Sequence, residues 1–151
     1  MLKAEKDFED FIELLNNNDV KYLIVDAYAL ALYAKPRNTG DIDIFFLAEE
    51  ENSLRILNTL KEFGFGEIGI KKKDLLTKGR IIQLGVNPVR IDLMNSIDGV
   101  DFNEAYPKLK KTNFGRTLAN FISYEDLIKN KLSSNRKKDQ ADLEELQNFK
   151  P

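Results

Sequence analysis

Apolar residues recur at helical spacing at the start of the chain, where Phe8, Phe11, Ile12 and Leu15 share one side of the stretch from Glu5 to Leu15. Positions three, four and seven apart lie on one face of a 3.6-residue helix, so the stretch predicts an amphipathic helix, stopped by Asn16-Asn17-Asn18. The pattern then changes to the continuous run Tyr22-Leu23-Ile24-Val25, as expected of a strand buried on both faces. Ala27 to Ala34 returns to good helix formers, with Asp26 where an N-cap belongs. A strand is predicted next, over Asp41 to Leu47. A covering helix over Glu49 to Phe63 carries Leu54, Leu57, Leu60 and Phe63 as its stripe and ends at Gly64 and Gly66. Further strands are predicted over Phe65 to Ile70, Arg80 to Val86 and Val89 to Met94, with Lys71 to Gly79 a polar connection. The last third reads as a short helix over Asp101 to Tyr106, a last short strand within Asn113 to Ile122, and two helices. The first of these opens at the capping-box-like Ser123-Tyr124-Glu125-Asp126; the second runs over Lys138 to Phe149 with Leu143, Leu146 and Phe149 apolar. No internal repeat is evident.

The most informative stretch is Lys35-Pro36-Arg37-Asn38-Thr39-Gly40-Asp41-Ile42-Asp43-Ile44-Phe45-Phe46. Pro36, Asn38 and Gly40 predict a turn, which then enters a strand. Strand side chains alternate, so Asp41 and Asp43 emerge on one face and Ile42 and Ile44 on the other. Two carboxylates side by side repel. They call for a hard cation with oxygen ligands, or else they face water on an edge strand, and these residues alone leave both readings open. In Val89-Arg90-Ile91-Asp92-Leu93-Met94 the same alternation puts Arg90 and Asp92 opposite Ile91 and Leu93, so Asp92 is a third strand carboxylate.

Composition narrows the chemistry. The 151 residues suit one domain, and 42% apolar with 32% charged residues is a soluble globular composition. The net charge of −2 sets up no global field for nucleic acid, although Lys71-Lys72-Lys73, Lys108 to Lys111 and Arg136-Lys137-Lys138 are local basic runs. There is no cysteine and no histidine. Disulfides, thiolate catalysis, the common zinc sites, histidine bases and Ser-His-Asp triads are therefore excluded. Carboxylates, Lys, Arg, backbone amides and an oxygen-loving metal remain. The longest uncharged apolar stretch, Ala27 to Ala34, is too short to span a bilayer, so a cytoplasmic protein with no membrane partner is expected.

Three segments together resemble the polymerase-β-like nucleotidyltransferase superfamily: Val25-Asp26-Ala27 before a helix, Arg37-x-Thr39-x-Asp41-x-Asp43 on the next strand, and Ile91-Asp92-Leu93 on a later one. The tail residues Asp126-Leu127-Ile128-Lys129-Asn130-Lys131-Leu132, Arg136-Lys137-Lys138-Asp139 and Asp142-Leu143 are similar to those of small prokaryotic members, including nucleotidyltransferase-type toxins. The resemblance implies an α+β fold: a nucleotidyltransferase-like mixed sheet flanked by helices over 1–122, with a short C-terminal helical tail, 123–151, packed on it as one domain. It also implies transfer of a nucleoside monophosphate from an NTP, ATP foremost, to a hydroxyl acceptor with release of pyrophosphate. That acceptor could sit on RNA, protein, an antibiotic or another small molecule.

By matching positions, the resemblance makes Asp41, Asp43 and Asp92 the catalytic carboxylates and the ligands of two Mg²⁺ ions, with Mn²⁺ as the alternative ion. Asp92 would also help deprotonate the acceptor. Paired metals of this kind, about 3.5–4 Å apart, stabilise the entering and leaving oxygens of an in-line displacement. The nucleotide would meet Asp26, Ala27, Arg37, Thr39, Lys131 and Lys138; as bare residues, Arg37, Lys131 and Lys138 read equally as surface cations or structural ion pairs. One departure stands out: Asp26-Ala27 replaces the family's Gly-Gly or Gly-Ser. A side chain there can block phosphate from backbone amides, and Asp26 adds negative charge. The second reading is therefore a degenerate nucleotidyltransferase-fold binding protein in a toxin and antitoxin or RNA-binding complex. A third is an unrelated α+β protein with structural Mg²⁺ or Ca²⁺.

Overall fold

The computed structural model describes residues 4–35, 40–86 and 89–149. The turn expected over Pro36 to Thr39 and the approach through Pro88 lie outside the described residues. Helix α1 (Ala4–Asn17) buries Phe8, Phe11, Ile12 and Leu15, the stripe read from its periodicity. Strand β1 (Tyr22–Val25) is buried along its whole length and runs directly into α2 (Asp26–Tyr33). Strand β2 (Asp41–Phe46), helix α3 (Glu50–Glu62), the short helix α4 (Lys72–Leu76), and strands β3 (Ile81–Val86) and β4 (Val89–Met94) come next. Short helix α5 (Phe102–Ala105) leads through a 3-10 turn to strands β5 (Lys110–Phe114) and β6 (Thr117–Phe121), then helices α6 (Tyr124–Leu132) and α7 (Lys137–Asn148). None of the described helices is long and apolar enough to cross a membrane.

Among the described residues, six strands form one mixed sheet in the order β3-β4-β2-β1-β6-β5. β1 lies antiparallel to β2, β2 parallel to β4, and β1 parallel to β6, while β3-β4 and β5-β6 are antiparallel pairs. A parallel pair needs a long crossover, which the segment from α3 to β3 supplies between β2 and β4. The central strands pack Ile42, Ile44, Ile91 and Leu93 into the core against α1 and its neighbours. Buried Asn52 stitches the corner after β2: its side chain accepts from the Lys21 amide at 2.8 Å and donates to the carbonyls of Lys21 at 3.1 Å and Leu47 at 2.8 Å.

Several local expectations change once the chain is packed. Phe65 to Ile70 forms turns rather than a strand, because positive φ at Gly64 and Gly69 breaks the extended path. The supposed polar connection contains α4, capped where the Asp74 carboxylate accepts from the Lys71 amide at 2.8 Å. The single late strand is a hairpin, β5-β6. On α3 the buried positions are Asn52, Ser53, Ile56, Thr59 and Leu60, and Leu57 and the following Phe63 pack against the core, but Leu54 is 53% exposed, so the apolar stripe is rotated from Leu54. On α7 the inward face carries Asp139, Asp142 and Leu146, whereas Phe149 is exposed. Ser123 does cap α6, accepting from the Asp126 amide at 3.1 Å, but the Asp126 carboxylate meets Lys108 instead of closing the box.

Asn52→Ala removes three hydrogen bonds and strands buried backbone groups, so it should lower the unfolding free energy by about 2–4 kcal/mol. Urea unfolding followed by circular dichroism measures this.

Candidate active site

The parallel register of β2 and β4 pairs Asp43 with Asp92 and Asp41 with Arg90. Directly paired residues face the same way, and neighbouring strands lie about 4.8 Å apart, so one sheet face gathers all four side chains. On the next strand Gln83 lies opposite Asp92. Asp26, at the turn between β1 and α2, borders the same cleft, because Val25 pairs with Asp43. The cleft holds about 630 Å³; Asp26, Asp41, Asp43 and Asp92 line it from the sheet and the β1–α2 turn, and Lys131, Arg136, Lys138 and Asp139 line it from the α6–α7 tail.

The carboxylates are in different electrostatic situations. Asp43 is partly buried; burial first, then the charges of Asp26, Asp92 and Asp41, push its carboxyl up to about 7. Asp92 is taken by Arg90 in a fork: guanidinium Nε donates to Asp92 Oδ1 at 2.6 Å and Nη2 donates to Oδ2 at 2.9 Å. The same Nη2 lies 3.2 Å from Asp41 Oδ2. The Asp92 hydrogen bond in turn raises the Arg90 guanidinium further above its ordinary value. An all-oxygen donor set of three carboxylates on two adjacent strands suits Mg²⁺ or Mn²⁺ and does not suit a soft metal.

Asp26 is not the helix cap its position suggested. Val25 takes the N-cap place without a side-chain hydrogen bond, and Asp26 sits at φ 56°, the left-handed region that favours glycine. Its carboxylate turns to the tail instead, accepting from Lys131 Nζ at 2.7 Å and lying 3.3 Å from Lys138 Nζ. The Lys131 side chain is 1% exposed, and its ammonium also meets Asp139 at 2.9 Å and Asp142 at 3.3 Å. The oxygens of Asp26, Asp139 and Asp142 lie within 4.8 Å of one another, close enough to ligate a cation, and the Lys131 ammonium fills that place. Burial alone would push the Asp139 carboxyl up; Ser134, Lys131 and Arg136 outweigh it and hold it at about 2. Burial likewise opposes the charged forms of Asp26 and Lys131, and their mutual attraction wins, lowering Asp26 and raising Lys131. Tyr33 Oη donates to the Ile122 carbonyl at 2.7 Å just ahead of the tail, and within the tail Tyr124 Oη donates to the Leu146 carbonyl at 2.9 Å, joining α6 to α7.

Of the residues singled out in the sequence, Asp26, Ala27, Asp41, Asp43, Asp92, Lys131 and Lys138 all line this cleft. Arg37 and Thr39 lie outside the described residues. Arg90, Arg136, Asp139 and Asp142 received no role there. Arg90 could have been found from its two-residue spacing to Asp92 on a strand, and Asp139 and Asp142 from their spacing on one helix face.

A strand-turn-helix unit followed by an antiparallel strand with two carboxylates, and a parallel one with the third, is the architecture of a nucleotidyltransferase fold. The chain belongs to the family described as nucleotidyltransferase of unknown function (DUF6036), whose model matches residues 5–149. Among solved structures it is similar to a putative nucleotidyltransferase (TM1012) from Thermotoga maritima, at 18% identity and TM-score 0.61, covering 98% of this chain and 96% of that one. It is also similar to lincomycin-bound lincosamide antibiotic adenylyltransferase LnuA, at 18% identity and TM-score 0.56, covering 96% and 97%. No curated protein matches the chain in sequence.

Removing the buried ammonium leaves its carboxylates uncompensated, so Lys131→Met should cost about 3–5 kcal/mol of stability at pH 7. The Asp26 and Asp139 carboxyls sit below their unfolded values of about 3.9; the stability they contribute in the parent is present above that pH and is lost as pH falls toward 2. The deficit of the variant should therefore narrow on acidification through that window, which urea unfolding at pH 7 and at about pH 2.5 would reveal.

Proposed function

We propose that this chain is a divalent-metal-dependent nucleotidyltransferase that moves a nucleoside monophosphate from an NTP to a hydroxyl acceptor and releases pyrophosphate. The observation that carries this reading is the register of β2 and β4, which lines up Asp41, Asp43 and Asp92 on one face of a cleft that cationic residues of the tail also line. Asp41, Asp43 and Asp92 would hold the metal, Mg²⁺ or Mn²⁺. When bound, such ions neutralise phosphate charge and make a hydroxyl a stronger nucleophile, which a chain without histidine or cysteine otherwise lacks. Lys138 and Arg136, at the mouth of the cleft, offer positive charge to the phosphates, while buried Lys131 holds the tail that presents them. In the transfer the acceptor oxygen bonds to the α-phosphorus and the bond to the β-phosphate bridging oxygen breaks. Asp92 takes the acceptor proton and pyrophosphate leaves. ATP is the favoured donor; the adenylyltransferase among the structural neighbours supports it.

A second reading, a degenerate binding protein, rests on Asp26, whose side chain stands where the polymerase-β-like superfamily that the sequence resembles carries glycine, and engages Lys131 and Lys138. Calorimetric titration of ATP with excess Mg²⁺ separates the two. The catalytic reading expects saturable binding by the parent, lost in Asp43→Asn, and transfer of label from α-labelled ATP reduced at least about a hundredfold in that variant. The degenerate reading expects no binding by the parent and binding restored in Asp26→Gly.

A further inference from the structure

Arg90 is positioned on the metal-site carboxylates themselves. Both oxygens of Asp92 accept from its guanidinium, at 2.6 and 2.9 Å, and Asp41 Oδ2 lies 3.2 Å away, so one planar cation spans the two strands. Alternation along β4 puts Arg90 on the face of Asp92, and the parallel register puts it directly opposite Asp41, so the contact is set by the backbone. A divalent ion that uses Asp41 and Asp92 needs these same oxygens. A guanidinium does not shed its proton under any ordinary condition, so it must be moved rather than neutralised. Once moved, it needs another anion, and the neighbouring carboxylates of Asp26, at the β1–α2 turn, and Asp139, in the tail, are already engaged by Lys131, Lys138 and Arg136. A metal arriving alone brings no such anion. A metal arriving on a nucleotide brings a triphosphate, for which the fork of an arginine is well shaped.

We propose that Arg90 is a positioning residue that makes metal binding conditional on nucleotide: it occupies Asp41 and Asp92 as their resident cation and passes to a phosphate when the metal–nucleotide complex enters. This rests on the reading of Asp41, Asp43 and Asp92 as the metal site. A resident cation differs from a merely structural ion pair in the effect of its removal. Loss of a merely structural cation changes metal binding in the same direction with and without nucleotide, whereas loss of a cation that passes to phosphate strengthens the binding of metal alone and weakens that of the metal–nucleotide complex.

The test is titration of Mn²⁺, followed by calorimetry and by the electron paramagnetic resonance of unbound Mn²⁺. The parent, Arg90→Gln, Arg90→Lys and Asp43→Asn are compared with and without a non-hydrolysable ATP analogue. Arg90→Gln should bind Mn²⁺ alone about tenfold or more tighter than the parent, and the Mn²⁺–nucleotide complex about tenfold or more weaker, since a charge-assisted fork is exchanged in both cases. Arg90→Lys keeps the charge without the fork and should fall between the two; if Arg90→Gln does not fold, as judged by circular dichroism, Arg90→Lys against the parent decides. Mn²⁺ affinity in Arg90→Gln equal to or weaker than that of the parent overturns the role of Arg90, provided that the nucleotide complex still binds the parent and not Asp43→Asn. Absence of Mn²⁺ binding to the parent and to both Arg90 variants, with or without nucleotide, overturns the metal-site reading itself and this inference with it.

Discussion

The parallel pairing of β2 with β4 is the constraint on which the site depends. Side chains alternate along both strands, so the register that seats Ile42, Ile44, Ile91 and Leu93 in the core also turns Asp41, Asp43, Arg90 and Asp92 to the opposite face. A slip of one residue would bury the carboxylates and expose the isoleucines. Burial of the apolar face therefore enforces the spacing of the charges, and the chemistry needs no separate device to align its residues.

A second layer of control comes from the tail. A single buried ammonium, that of Lys131, joins the β1–α2 turn to α7 through Asp26, Asp139 and Asp142. Buried ion pairs of this kind add little net stability over apolar packing, but they fix geometry, because a displaced partner leaves an uncompensated charge. Here the geometry fixed is that of the tail cations that line the cleft. Asp26 is the link: it accepts a left-handed backbone conformation, and its carboxylate is compensated by two lysines. At this turn, where the backbone takes a conformation that favours glycine, the chain carries a charged tie to the tail.

Helix α1, strands β1, β2 and β4, and helix α6 with its Ser123 cap were legible in the sequence, because their periodicity and end signals are local. The strand expected at Phe65 to Ile70 was not formed, since glycine turns there override a weak β pattern. On α3, Leu57, Leu60 and Phe63 do pack on the core, but Leu54 does not: small polar Ser53 and Thr59 are buried on that side instead, Thr59 through a hydrogen bond from its hydroxyl to the Arg55 carbonyl at 2.9 Å. Asp26 looked like a cap because Asp before a helix usually caps it. Its partners Lys131 and Lys138 are more than a hundred residues away, and no local rule names them.

The sequence by itself determined the inventory and its phase: no histidine or cysteine, two carboxylates on one strand face, a third on another, and arginine in phase with it. These come from composition and from the two-residue repeat of a strand, which are properties of a short stretch of chain. Tertiary structure decided which charges meet. Lys131 among Asp26, Asp139 and Asp142, and Arg90 across Asp41 and Asp92, depend on strand order, parallel register and the return of the tail across α2. Electrostatic partners are chosen by distance in space, and that distance is set only when the core has packed.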